Sequence, residues 1–184
     1  MIETEAALVD RMRRGDEGAF EVLYARHQPA VYRYALRMTG SPAMADDAVQ
    51  ETFLSLLRGS GYDPGLGPLR SYLYGTARNL LFRMWGAQGR EEDIDPATAD
   101  AGPDPLEGLE AAEQAALLRQ ALASLPPHYR EVVALCDLEE LSYAEVAEIL
   151  GCAVGTIRSR LSRARALLAE KLGQYRLSAG RCGA

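Results

Sequence analysis

The stretch Ser142–Arg165, SYAEVAEILGCAVGTIRSRLSRAR, decides the fold. Ser142 with Glu145 three residues on is the signature of a capping box, which satisfies two orphan backbone donors and starts a helix. Val146, Ile149 and Leu150 supply one apolar face, and Gly151 stops the helix. Val154, Ile157, Leu161, Ala164 and Leu168 then recur at spacings of three and four, the stripe of a second helix. Arg158, Ser159, Ser162, Arg163 and Arg165 lie off that stripe. The pattern predicts a helix, a tight turn and a cationic second helix, a geometry suited to the major groove of DNA. Side chains on its outer face are free for phosphates and base edges. A solvated basic helix in an ordinary bundle is the plainer alternative; the agreement of cap, turn and charge placement argues against it.

Working outward, charge divides the chain. The net charge is −6, which does not suit a nucleic-acid binder until it is located. Residues 1–90 hold 11 arginines against 10 carboxylates, and residues 115–184 hold 9 basic against 7 acidic groups. Residues 91–114 hold 9 acidic groups and no Lys or Arg. The acidity sits in one segment between two weakly basic flanks. That segment includes REEDIDPATADAGPDP, with three prolines and almost no large apolar residue, a composition that cannot bury enough surface to fold. Residues 89–107 are therefore read as a flexible acidic linker, able to reach on the order of 60 Å when extended.

Both flanks read as helical. Phe20, Leu23, Tyr24, His27, Val31, Tyr34, Ala35 and Met38 follow three–four spacing, with Pro29 predicting a break or a kink. Thr39-Gly40-Ser41-Pro42 is a stop and restart. A helix follows with Ala45, Ala48, Val49, Thr52, Phe53, Leu56 and Leu57 on its buried face. GSGYDPGLGP, residues 59–68, has four glycines and two prolines and must be a loop. The next helix carries Leu69, Tyr72, Leu73, Thr76, Ala77, Leu80 and Met84. In the second flank, helices are expected from about 106 to 124 and from about 127 to 137, before the helix–turn–helix. No segment alternates with period two, so the fold class is all-α: two small helical domains on a tether. The expected boundaries are 1–88, the linker 89–107, 108–176, and a tail 177–184.

The excluded classes follow from the same residues. No apolar run of about 18 residues suggests membrane insertion, and the charged N-terminus MIETEAALVDRMRRGDE lacks a signal core, so a cytoplasmic protein is expected. Cys136, Cys152 and Cys182 have no C-x-x-C spacing, and with His27 and His128 they form no zinc constellation, so no metal or cofactor is expected. Asp46, Asp47 and Glu51 lack a His, Cys or Lys partner at ligand spacing, and no glycine-rich phosphate loop follows a strand. An enzyme is not expected.

Four segments in order resemble the extracytoplasmic-function (ECF) group of sigma-70-family sigma factors. GAFEVLYARHQPAVYRYALR at 18–37 resembles the opening of the family's region two. DDAVQETFLSLL at 46–57 resembles its most recognisable helix, and YDPGLGPLRSYLYGTARNLL at 62–81 its promoter-melting segment. LASLPPHYREVVALCDLEELSYAEVAEILGCAVGTIRSRLSRAR at 122–165 resembles region four. The resemblance implies a non-enzymatic subunit that directs RNA polymerase core to promoters. Asp47, Gln50 and Glu51, on a polar face beside an apolar one, would bind the β′ clamp, and the β flap is a further implied contact. Tyr62, Arg70, Ser71, Tyr74, Arg78 and Asn79 would capture a flipped base of the −10 element and hold the melted strand. Aromatics stack on unpaired bases and arginines grip the backbone. Tyr72, on the core stripe, is read as core; Tyr62 and Arg70 flank the glycine loop and are preferred as ligands. Thr156, Arg158, Ser159, Arg160, Ser162, Arg163 and Arg165 would read the −35 element, with Thr156, Arg160 and Arg165 assigned to phosphates. An anti-sigma factor is the further partner implied.

One departure concerns FRMWGAQGREED at 82–93, which has Arg83 and Arg90 where the family carries an arginine string. Fewer phosphate contacts imply weak DNA binding by the free chain. The alternative functions are a DNA-binding regulator that never enters polymerase and a decoy that only sequesters an anti-sigma factor. DDAVQETF and the glycine loop argue against the first, and the arginine-rich reading helix against the second.

Overall fold

The computed structural model describes residues 3–59, 61–87 and 109–179. The linker predicted at 89–107 lies outside the described residues. Among them the chain is helical without strands: α1 (Glu5–Arg13), α2 (Glu17–Thr39), α3 (Pro42–Leu57), α4 (Leu69–Ala87), α5 (Leu109–Ala123), α6 (Pro127–Val133) extended by a π-turn segment (Ala134–Leu138), α7 (Tyr143–Leu150) and α8 (Val154–Ala179).

Local chemistry sets the helix ends. The side chains of Thr4, Asp16 and Ser41 accept from Ala7 N, Ala19 N and Met44 N, capping α1, α2 and α3. Pro42 occupies the first turn of α3, where its missing N–H costs nothing. Gly40 closes α2 at φ 67, a left-handed conformation that a Cβ would disfavour. Helix α2 continues through Pro29 as one element, so of the expected break or kink the break does not occur. Ala25 and Pro29 are both exposed, so the carbonyl that Pro29 cannot serve lies on the solvent side of the helix. Four residues of irregular chain separate the π-turn segment from α7, and Glu140 there adopts φ 54.

The apolar stripes pack as two cores that meet. Leu23, Tyr34, Met38, Phe53, Leu56, Leu69, Leu73 and Leu81 fill the first module, and Leu125, Leu135, Ile157 and Leu161 the second. Helix α4 packs on α7, and α2 packs on α5, α6 and the π-turn segment, so the modules share a seam. Leu57 and Tyr24, both placed on apolar stripes by the sequence, are 44 % and 38 % exposed. Each sits at the edge of its stripe, where neighbouring helices do not reach.

Arg130, only 4 % exposed, ties the seam through backbone. It donates to the carbonyls of Leu122 (3.1 Å), Leu125 (3.1 Å) and Ala123 at the end of α5, and to that of Met38 (2.9 Å) at the end of α2. One guanidinium thus serves carbonyls at or just past two helix C-termini and opposes both dipoles. Burial lowers its pKa, yet guanidinium stays charged at any ordinary pH. Arg130→Met strands these carbonyls and should destabilise the protein by about 3 kcal/mol. Urea unfolding followed by circular dichroism measures this, and a midpoint equal to that of the parent refutes it.

Candidate nucleic-acid interface

Helices α7 and α8 form the helix–turn–helix. Ser142 accepts from Glu145 N at 3.3 Å while the Glu145 carboxylate accepts from Ser142 N at 3.0 Å, so both halves of the capping box are made. Gly151 ends α7 at φ 62. Val146, Ile157, Leu161 and Ala164 are buried between the helices and fix the rotation of α8. That rotation exposes Arg158, Ser159, Ser162 and Arg163, with Thr156 and Arg160 half-buried at the margin. The Ser159 hydroxyl donates to Thr156 O at 3.1 Å. Arg165 is exposed but pairs with Asp137 at 2.9 and 2.5 Å, which raises its pKa. Arg158 and Arg163 have no ion pair among the described residues and present unopposed charge.

On α3, Asp47 and Gln50 are exposed, and Glu51 is half-buried with its carboxylate 3.0 Å from Arg58. Beside them lies a shallow cleft lined by Phe20, Tyr24, Gln50, Phe53 and Leu57. The rings of Tyr24 and Phe53 are 4.7 Å apart there. Sequence reasoning identified the polar stripe but not its apolar flank. The flank comes from stripe-edge residues that periodicity assigns to the core.

The glycine loop and α4 bring Tyr62 and Ser71 together but divide the other −10 candidates. Tyr62 is 8 % exposed, with its hydroxyl on Gly67 O at 3.4 Å and its ring 5.4 Å from that of Tyr72. The Tyr62 carbonyl accepts from Arg13. Tyr72 is half-buried against the core. A cavity of ≈ 170 Å³ opens between Tyr62, Gly67, Ser71, Tyr72 and Glu148. The Ser71 hydroxyl is buried in this wall with no hydrogen-bond partner among the described residues. Asn79 is exposed.

Arg70, Tyr74 and Arg78 instead meet the second module. Arg70 donates to Glu145 at 2.8 and 2.5 Å, Tyr74 donates to Glu139 at 3.0 Å, and Arg78 donates to Glu131 at 2.7 Å. The Arg78 guanidinium also lies 4.7 Å over the Phe82 ring. Tyr34 donates to Glu131 at 3.1 Å, and Arg33 (2.8 Å) and Arg37 both pair with Glu139. The sequence reading did not single out Arg33, Arg37, Glu131 or Glu139. The available signal was weak: carboxylates in a basic module.

Burial governs titration at the seam. It pushes the Tyr34 and Tyr74 hydroxyls up, with Glu131 and Glu139 adding to the effect. It raises the Glu131 carboxyl despite Arg78 and Tyr34. Burial would also raise Glu145, but the bonds from Ser142 and Arg70 outweigh it and the pKa falls. A raised carboxyl favours the protonated form, so the contribution of Glu131 to stability is full below its unfolded pKa and lost as pH rises through its folded pKa. Glu131→Gln lacks this titration. Its stability relative to the parent should therefore be more favourable at about pH 7 than at about pH 4. Urea midpoints at the two values measure the difference, and an equal difference at both refutes the assignment.

No group of three or more His, Cys, Asp or Glu side chains able to hold a metal occurs among the described residues, and no described helix is long and apolar enough to cross a membrane.

Comparison with known proteins places this geometry. Residues 23–91 match the family model described as Sigma-70 region 2, and residues 115–168 match Sigma-70, region 4. ECF RNA polymerase sigma factor SigE of Mycolicibacterium smegmatis is 36 % identical over 171 residues, covering 88 % of this chain and 65 % of that protein. RNA polymerase sigma-H factor of Pseudomonas aeruginosa is 32 % identical over 182 residues, covering 92 % of this chain and 94 % of that one. Among solved structures, sigma factor RpoE in complex with the anti-sigma factor NepR from Bartonella quintana aligns with TM-score 0.69 and 28 % identity, covering 84 % of this chain and 96 % of that one. CnrH in complex with the cytosolic domain of CnrY aligns with TM-score 0.69 and 26 % identity, covering 91 % and 96 %.

Proposed function

The chain belongs to the sigma-70 family, in its ECF group, and we propose that it directs RNA polymerase core to promoters by reading the −35 element with α8 and the −10 element with the glycine loop and α4. The observation that carries this reading is the outer face of α8, where Arg158, Ser159, Ser162 and Arg163 stand exposed behind a fully formed capping box. An arginine that reaches a guanine pairs with it bidentately, worth roughly 1–3 kcal/mol of discrimination. The Ser71 hydroxyl and the Tyr62 and Tyr72 rings suit a base taken out of its stack, which needs hydrogen-bond partners and a stacking surface.

Polymerase binding is assigned to α3. Asp47, Gln50 and Glu51 give a polar stripe, and Tyr24 and Leu57 give exposed apolar area beside it, the mixture of a protein interface. The partner is the β′ clamp, with region four meeting the β flap. The protein lends specificity to an enzyme rather than catalysing a reaction, and works in the cytoplasm. An anti-sigma factor is the expected regulator, as the RpoE relative was captured with the anti-sigma factor NepR.

Run-off transcription with core polymerase on a genomic promoter library tests the whole reading. Specific transcripts should depend on the chain, and their absence refutes it. Arg158→Ala or Arg163→Ala should weaken use of the cognate promoters by about tenfold per lost base contact, with holoenzyme assembly intact. A variant that keeps the parental transcript pattern and strength excludes that arginine as a reader.

Reversing charge with Asp47→Lys and Glu51→Lys should abolish co-purification with core polymerase and leave helicity unchanged. Retention of the double variant by core enzyme excludes α3 as the docking helix.

A further inference from the structure

Three glutamates of the second module hold four arginines of the first. Glu139 binds Arg33 and Arg37 and accepts from Tyr74; Glu131 binds Arg78; Glu145 binds Arg70. Exposure across these pairs is unequal. The Glu139, Glu131 and Glu145 side chains are 3 %, 3 % and 15 % exposed, against 50 %, 24 %, 25 % and 49 % for Arg33, Arg37, Arg78 and Arg70. The carboxylates are pressed into a surface that the arginines line from its rim.

The arginines are spaced as a track. Arg33 and Arg37 lie one turn apart on α2, and Arg70 and Arg78 lie about two turns, or roughly 12 Å, apart on α4. A nucleic-acid strand passes several phosphates over such a length. Guanidinium binds carboxylate and phosphate with the same forked geometry, so either anion can occupy these seats. Glu148 of α7 also lines the cavity formed by Tyr62 and Ser71, on the same side of the first module.

We propose that Arg33, Arg37, Arg70 and Arg78 form one binding track for the phosphate backbone of promoter DNA, and that Glu131, Glu139 and Glu145 occupy its phosphate seats in the closed chain. The proposal rests on the promoter-reading function above and adds to it Arg33 and Arg37, on a helix not otherwise assigned to DNA. Binding a strand exchanges each carboxylate for a phosphate. Two surfaces stay open in the closed chain, the α3 stripe and the outer face of α8. Polymerase and the −35 element can therefore engage first and draw the modules apart.

Glu139 is the side chain on which to test this, because it neutralises two arginines and removing it leaves both unmatched. The full chain is titrated, without polymerase, against a fluorescein-labelled random single strand of about 20 nucleotides, across a salt series. The parent should bind weakly. Glu139→Gln with Glu145→Gln should bind at least about tenfold more tightly at low salt. Its salt slope should steepen by about 2, near 0.7 for each of the three arginines released, Arg78 remaining on Glu131. Adding Arg33→Ala and Arg37→Ala should remove about two-thirds of the added slope, and Arg33→Lys with Arg37→Lys should keep it. A glutamine variant that remains helical yet binds no better than the parent overturns the proposal. So does a gain that survives loss of Arg33 and Arg37.

If the glutamine variant loses helicity, holoenzyme decides. Arg33→Ala with Arg37→Ala in the otherwise parental chain should shorten the lifetime of heparin-challenged open complexes, and an unchanged lifetime overturns the track. A chain that gains oligonucleotide binding as described but never forms holoenzyme refutes the sigma reading and leaves the track standing.

Discussion

A carboxylate taken out of water must be matched by donors, and the closed form of this protein is organised around that constraint at Glu139 and Glu131. Each is 3 % exposed at the side chain. Ionised and unmatched, either would cost several kcal/mol. Glu139 meets two guanidiniums and a phenol; Glu131 meets one of each. Such pairs contribute little net stability compared with an apolar contact of the same size, but they tolerate few alternative registers. They specify how the modules meet without holding them irreversibly, which suits the opening proposed above.

Arg130 works by the opposite balance. It is buried without a carboxylate, and its partners are the last carbonyls of two helices. These acceptors are present in any folded form of each helix, so the residue serves as a fastener for α5 and α2. The seam thus combines one cation matched by backbone with three carboxylates matched by mobile side chains. The second set has, on the proposal above, the phosphate backbone as its competitor.

The three proposed recognition surfaces differ in availability. The α8 face and the α3 stripe meet solvent, whereas Tyr74, Arg70 and Arg78 face the second module. Together with the nine carboxylates at 91–114, the proposed track would leave the free chain a poor ligand for DNA by two routes. The acidic segment repels the backbone at a distance, and the seam occupies the arginines at contact range.

Local chemistry made much of this legible. The capping box at Ser142, the stop at Gly151 and the stripe from Val154 to Leu168 depend on groups within four residues of one another, so the helix–turn–helix and the outward face of α8 followed from order in the chain alone. The same holds for the loop at 59–68 and the all-α class. Tertiary structure alone decided that α2 runs through Pro29, that Tyr62 and Tyr74 are buried, and that Arg33, Arg37, Arg70 and Arg78 are paired. Their partners lie 53 to 106 residues away for Arg33, Arg37, Arg70 and Arg78. An exposed arginine and one seated on a carboxylate have the same local sequence signature. Only the docking of the second module, set by the burial of its own apolar stripes, determines which of the two each becomes.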